Sequence, residues 1–275
     1  MAKNGTETVH AAQIQLVPAQ QVAREVAART AANGLRYAPY GDTRVTDADL
    51  TRMVESVPKS IADALTQKAY YFVPLTLGDG LGAELGIELG GETLGETLVA
   101  PAYTMELGDR AVCHRNVAFG KADCVFISTQ LMDDRFALAF EFAINIGHAF
   151  VDAAGVPESF AELAWRQAEA HVKGETSHDA WENRNRALAP SDALATKGRA
   201  RVDEKAKNIY IEAAFADAIA IYLLSLTVDF DYAELREREY PLLAPQALAE
   251  RLKHVAALFP PNAGYSFAVL YRRKV

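Results

Sequence analysis

Basic residues are in deficit: 28 Lys and Arg stand against 36 Asp and Glu, a formal net charge of -8. A nucleic-acid or anionic-membrane partner needs a basic footprint, so neither is expected. Cysteine is nearly absent. Cys113 and Cys124, with ten residues between them, could pair across a hairpin or stay as two buried thiols in a reducing compartment, and no C-x-x-C exists to build a zinc ribbon. Also lacking is an apolar run of membrane-spanning or signal-peptide length. The longest, Ala213 to Val228, is interrupted by Asp217, and the first twenty residues show no apolar stretch behind a basic start. The expectation is a chain without a membrane span, cytoplasmic or exported without a signal peptide. Neither G-x-x-x-x-G-K-[ST] nor G-x-S-x-G occurs, which removes a phosphate-cradling loop and a serine-hydrolase elbow.

With half of its 275 residues apolar, the chain can bury a large core without staples. Alanine-rich Gln20 to Asn33 predicts a helix ended by Gly34. Thr46, with Asp49 three residues on, caps a second that Pro58 breaks or kinks. The aromatic and β-branched stretch Ala69 to Leu77 predicts a strand. Residues 78 to 98 carry seven glycines in twenty-one and acidic rather than basic charge, which suits turns and bulges between short strands. Val99 to Leu107, Val112 to Phe119 and Asp123 to Thr129 read as further strands. Helices follow at 133–153, 157–173, 202–226 and 245–258, while the mixed-charge run 182–207 reads as a solvated loop and helix start. A short extended segment, GYSFAVLYRR, closes the chain. Strands first and helices after give an α+β fold. Residues 1–66 form an N-terminal arm and helical extension, and 67–275 form one α+β domain.

One helix, Phe136 to Asp152, is apolar almost all round yet carries Glu141, Asn145, His148 and Asp152 at i, i+4, i+7 and i+11. At about 100° per residue these four fall within roughly a 60° arc. Buried polar groups cost a few kcal/mol each unless partnered, so such a line calls for a cleft, a hydrogen-bonded network or a metal. His114, next to Cys113, makes no dyad with it, because neighbours on a strand face opposite ways.

The order of several short runs carries a resemblance. The strand CVFIST and the link QLMDDR precede a helix ending GHAFVDAAG, in which His148, Asp152 and Gly155 fit a G-H-A-x-x-D-x-x-G run. PESFAELAWRQAEAH follows, and then EAAFADAIAIYLL from Glu212 to Leu224. Residues 100–260 thereby resemble the catalytic domain of anthrax-lethal-factor-type zinc peptidases, a gluzincin group. The resemblance implies a zincin-like fold: a small mixed or antiparallel sheet with an edge strand over a cleft, then a helical subdomain. Phe126 and Ser128 would lie on that edge strand, and Asp152, Tyr210 and Asp217 beside the cleft.

Carried residue by residue, the H-E-x-x-H frame reads Ile144-Asn145-Ile146-Gly147-His148. The first ligand histidine falls on Ile144, the general-base glutamate on Asn145, and the third-ligand glutamate on Ala213, with Glu212 one position away. One imidazole does not hold catalytic zinc, and asparagine cannot take a proton from water. The resemblance therefore implies a pseudo-peptidase, without a metal, that binds a protein or peptide partner. A metal-dependent hydrolase using Glu141, His148 and Glu212 for zinc or another divalent ion stays open. So does a structural component of a larger assembly.

Overall fold

The computed structural model describes residues 16–78, 97–131, 134–189, 202–232 and 240–269. Two sheets share its first half. β1 (Val17–Pro18), α1 (Ala19–Glu25), β2 (Arg29–Thr30) and β3 (Arg36–Pro39) come first. α2 (Asp47–Glu55) and α3 (Lys59–Ala62) then lead into β4 (Lys68–Val73) and β5 (Leu75–Leu77). β6 (Leu98–Ala100), the short α4 (Met105–Gly108), β7 (Ala111–Val112), β8 (His114–Phe119) and β9 (Ala122–Ser128) complete this half. The helical half comprises α5 (Arg135–Ala154), α6 (Glu158–Glu169), α7 (His178–Leu188), α8 (Glu204–Thr227) and α9 (Pro245–Leu258).

The larger sheet has the order β2-β3-β4-β9-β8, with β3, β4 and β9 parallel and the two outer strands antiparallel. β4 reads KAYYFV, a nearly continuous apolar run, because both of its faces are covered. Tyr70 and Phe72 point to the helical core, where Phe142 of α5 meets Tyr70 edge-on at 5.3 Å. Ala69, Tyr71 and Val73 point to the opposite face, against Ala19 and Val22 of α1. Pro74 then turns the chain into a second, antiparallel sheet of order β1-β6-β5-β7. Ser128 fastens the two sheets: its Oγ accepts from Thr76 N–H at 2.8 Å and donates to Val112 O at 2.6 Å.

α8 is apolar all round and correspondingly buried in the helical core. It packs on α5 so closely that a Cβ on Gly147 would collide with the Ala216 carbonyl oxygen. Both helices have the length and composition to cross a bilayer, and in this structure both are core elements.

The α+β class holds, and so do most element positions: Thr46 caps α2 by accepting from Asp49 N–H. Several expectations need correction. The first helix stops at Glu25, and β2 follows where helix was expected, with β3 after the Gly34 stop. Residues 17–39 are thus part of both sheets rather than an extension beside them. Val99 to Leu107 is not one strand, since Thr104 caps a short helix there. Residues 178–188 are helical, capped by Ser177, so 182–188 are helix where a solvated loop was expected. The strand CVFIST is not an edge: β9 is paired on both sides, and β8 is the edge. The glycine-rich stretch lies almost wholly outside the described residues.

Four of the five later helices converge on one carboxylate. Glu175 is fully buried and receives Arg251 Nη1 on Oε2 at 2.9 Å and Arg184 Nη1 on Oε1 at 3.0 Å. The Tyr210 hydroxyl stands 3.0 Å from Oε1, and Gln167 Oε1 accepts Arg251 Nε at 2.8 Å. Gln167, Arg184, Tyr210 and Arg251 come from α6, α7, α8 and α9. Gly174 sets the carboxylate in place with φ of 80°, and any Cβ there would run into the Leu242 carbonyl. Glu175→Ala leaves the Arg251 guanidinium buried without its counter-charge. A loss of about 3–5 kcal/mol is expected, read from the urea midpoint by circular dichroism.

Candidate functional site

β8 and α5 border an open face of the larger sheet. On β8, Val117 and Phe119 belong to the cluster beneath α1, so His114, Asn116 and Ala118 face the α5 side. α5 covers Val125 and Ile127 of β9 and stops short of the β8 face, where Asn116 and Ala118 are exposed. Among the described residues no strand pairs with the outer edge of β8. Ser128 N–H donates to Cys113 O at 2.9 Å, so residue 113 directs its carbonyl at β9. Alternation along an antiparallel ladder then turns the N–H and C=O of His114, Asn116 and Ala118 away from β9.

At the head of this strip, His114 Nδ1 lies 2.5 Å from Glu141 Oε1. A carboxylate only accepts, so the imidazole donates from Nδ1 and leaves Nε2 as an acceptor. The Glu141 side chain is 16 % exposed and that of His114 38 %, so the pair opens to solvent through the histidine. Asn145 completes the group. Its Nδ2 donates to Glu141 Oε1 at 3.1 Å and to the Glu141 carbonyl at 2.9 Å. The asparagine in the general-base slot therefore braces a carboxylate one turn earlier. Burial pushes the neighbouring Cys113 thiol up, and the Glu141 carboxylate adds to the effect. That disfavours the thiolate and leaves Cys113 a poor nucleophile.

The second half of the stripe has other surroundings. His148 and Asp152 are exposed. Across the Gly147–Ala216 contact, Asp217 of α8 accepts from Thr176 Oγ1 at 2.8 Å. Burial pushes its carboxyl up to about 6, against hydrogen bonds from Ser177 and Thr176 and the nearby His148 imidazole. The buried Glu175 carboxylate adds slightly to the rise. Asp217 as a whole residue is only half-buried, but its carboxyl head is the enclosed end, and the shift belongs to the head.

Placement of the remaining expected residues divides them. Glu212 is exposed on α8 and, among the described residues, makes no hydrogen bond or ion pair with Glu141 or His148, and Ala213 is half-buried. Among the described residues no three His, Cys, Asp or Glu side chains gather to hold a metal ion. Tyr210 is not beside a cleft: it is fully buried in the Glu175 network. Phe126 is buried against Tyr71, rings 4.9 Å apart and stacked, and Ser128 is the buried fastener between the sheets. Both were expected over a cleft because β9 was read as the edge. His114 was missed as a partner of Glu141, since its only sequence signal was a histidine at the start of a strand.

No protein-family model matches the chain, and no curated protein matches it. The site is read on its geometry alone.

Asp217 makes a pH prediction. Its proton leaves the unfolded chain near 3.8 and the folded one near 6, so stability falls as the pH rises through that window. The loss attributable to this one group reaches about 3 kcal/mol at neutral pH. Asp217→Asn is expected to be the more stable protein at pH 7, with the difference from wild type vanishing by pH 4 in urea titrations.

Proposed function

We propose that this chain is a zincin-like scaffold that binds an extended peptide or protein segment beside β8 without cleaving it. The observation that carries the reading is the outward backbone of His114, Asn116 and Ala118 beside an uncovered strip of sheet. A segment laid along β8 would pair its main chain with those groups, as in β-augmentation, and would need no metal. The braced His114–Glu141 pair supplies a polar anchor at one end of the strip. Asn145 supports the non-catalytic half of the proposal, because the position where a peptidase would hold its base is used to fix Glu141. The mixed sheet with an antiparallel outer strand above α5, and α8 against α5, is consistent with the zincin-like arrangement. A hydrolase built on Glu141, His148 and Glu212 is less well supported, because Glu141 is engaged with His114 while His148 lies beside Asp217.

Ala118→Pro tests this directly. It removes an outward N–H and leaves the bonds to β9 intact, so the fold should tolerate it. Linear peptides selected from a display library on the wild-type protein are expected to bind Ala118→Pro at least about five-fold more weakly, the worth of one main-chain hydrogen bond of about 1 kcal/mol. The bound peptides should be recovered intact by mass spectrometry. Equal binding to the variant would sink the β8 site. Cleavage that disappears in Glu141→Gln, or one metal ion per chain lost in Glu141→Ala, would make the protein an enzyme.

A further inference from the structure

The face of the larger sheet opposite α5 holds a cleft of about 620 Å³ between the end of α1 and the first residues of β3, β4 and β9. That volume lies within the range of small-molecule sites, about 300–1,000 Å³. Its lining is mixed: the apolar part is Ala23, Ala27, Ala28, Ala69, Phe119 and Ala122 with Tyr71 and the buried Cys124, and Thr66 and Gln67 add polar groups beside Arg36. Two cations reach it, Arg36 from β3 and Lys121 from the β8–β9 turn, and no carboxylate is among the described residues lining it. In a chain of net charge -8 this is a local reversal of sign.

Arg36 is the residue that calls for a ligand. Among the described residues its Nη2 reaches the Gln67 carbonyl, at a long 3.4 Å, and its buried Nε finds no hydrogen-bond partner. The guanidinium lies near enough to Tyr71 and Cys124 to act on both. Asp123, the residue before Cys124, is held 3.6 Å from Lys68. An unpaired donor on a permanently charged group is costly to bury, and an incoming anion removes that cost. The apolar walls then ask for a ligand with an apolar body behind its anionic head. We infer that this cleft is a binding site for a monocarboxylate with an aliphatic body, its head on Arg36 and Lys121 and its chain along the alanine walls. The site is independent of peptide binding at β8, since it lies on the other face of the sheet.

Decanoate is the probe, with decanol and inorganic phosphate as the uncharged and tail-less controls, all read by isothermal titration calorimetry and by the melting temperature. Decanoate is expected to bind and raise the melting temperature, and both controls to bind at least about ten-fold more weakly, the order expected when a charge-assisted bond or the apolar contact is missing. Arg36→Gln should weaken decanoate by about ten-fold or more, with Lys121→Gln having a smaller effect because that side chain is exposed. Ala27→Trp, an exposed position lining the cleft, fills it without touching the charges and should abolish binding even if Arg36→Gln fails to fold. Decanol binding as well as decanoate, phosphate alone binding as tightly, or binding that survives Ala27→Trp would each overturn the assignment. So would no binding by the wild-type protein. Ala118→Pro should leave decanoate binding unchanged, which separates this site from the one at β8.

Discussion

A single buried negative charge, that of Glu175, governs how the helical half is put together. Its carboxylate is fully buried and depends on Arg251 and Arg184 for charge and on Tyr210 for a further polar contact. Such a pair adds little net stability over well-packed apolar residues of the same size, because desolvating both ions offsets most of their attraction. Its effect is on arrangement. The planar guanidinium of Arg251 reaches the carboxylate through two nitrogens and Gln167 through a third, so small displacements of α9 against α6 break bonds. The residue after Glu175 is Thr176, which donates to Asp217 of α8, so one short segment holds the structural charge and contacts the titrating one.

α5 divides two environments that its sequence presents as one line. Glu141 and His148 are separated by about 10 Å along the helix axis although they share a direction. Before the Gly147–Ala216 contact the line looks onto β8; after it, onto α8. A helix side chain at position 147 would push α8 away and merge the two. The absence of a side chain there is what allows one polar stripe to serve a histidine on a strand and an aspartate on a helix.

Periodicity made the long elements legible, since α5, α8 and α9 each carry enough apolar residues to fix both type and extent. Thr46 and Asp49 also announced the start of α2 through a local bond. Strand order was not legible. Nothing in CVFIST distinguishes an inner strand from an edge, because β9 is buried among apolar neighbours on its second side by β8, whose own alternation is weak. The Glu141–Asn145 half of the site followed from spacing on one helix. His114 lies 27 residues from Glu141, and only the pairing of β8 with β9 brings them together. Nothing in the sequence marks Glu175, Arg184 and Arg251 as a buried cluster, for burial of a charge leaves no mark when its partners are distant in the chain.

The parallel core has a consequence for how the chain is made. β3 must wait for β4, and β4 for β9, more than fifty residues later, before either inner edge is paired. A nascent chain that has reached Val73 therefore carries an apolar six-residue strand, KAYYFV, with no second neighbour until Ser128 has left the ribosome. Glu175 waits longer still, since Arg251 is 76 residues further on. The sheet half can close during synthesis, but the helical half can only lock once α9 has emerged, and truncation before α9 would leave a negative charge in an apolar core with half of its counter-ions missing.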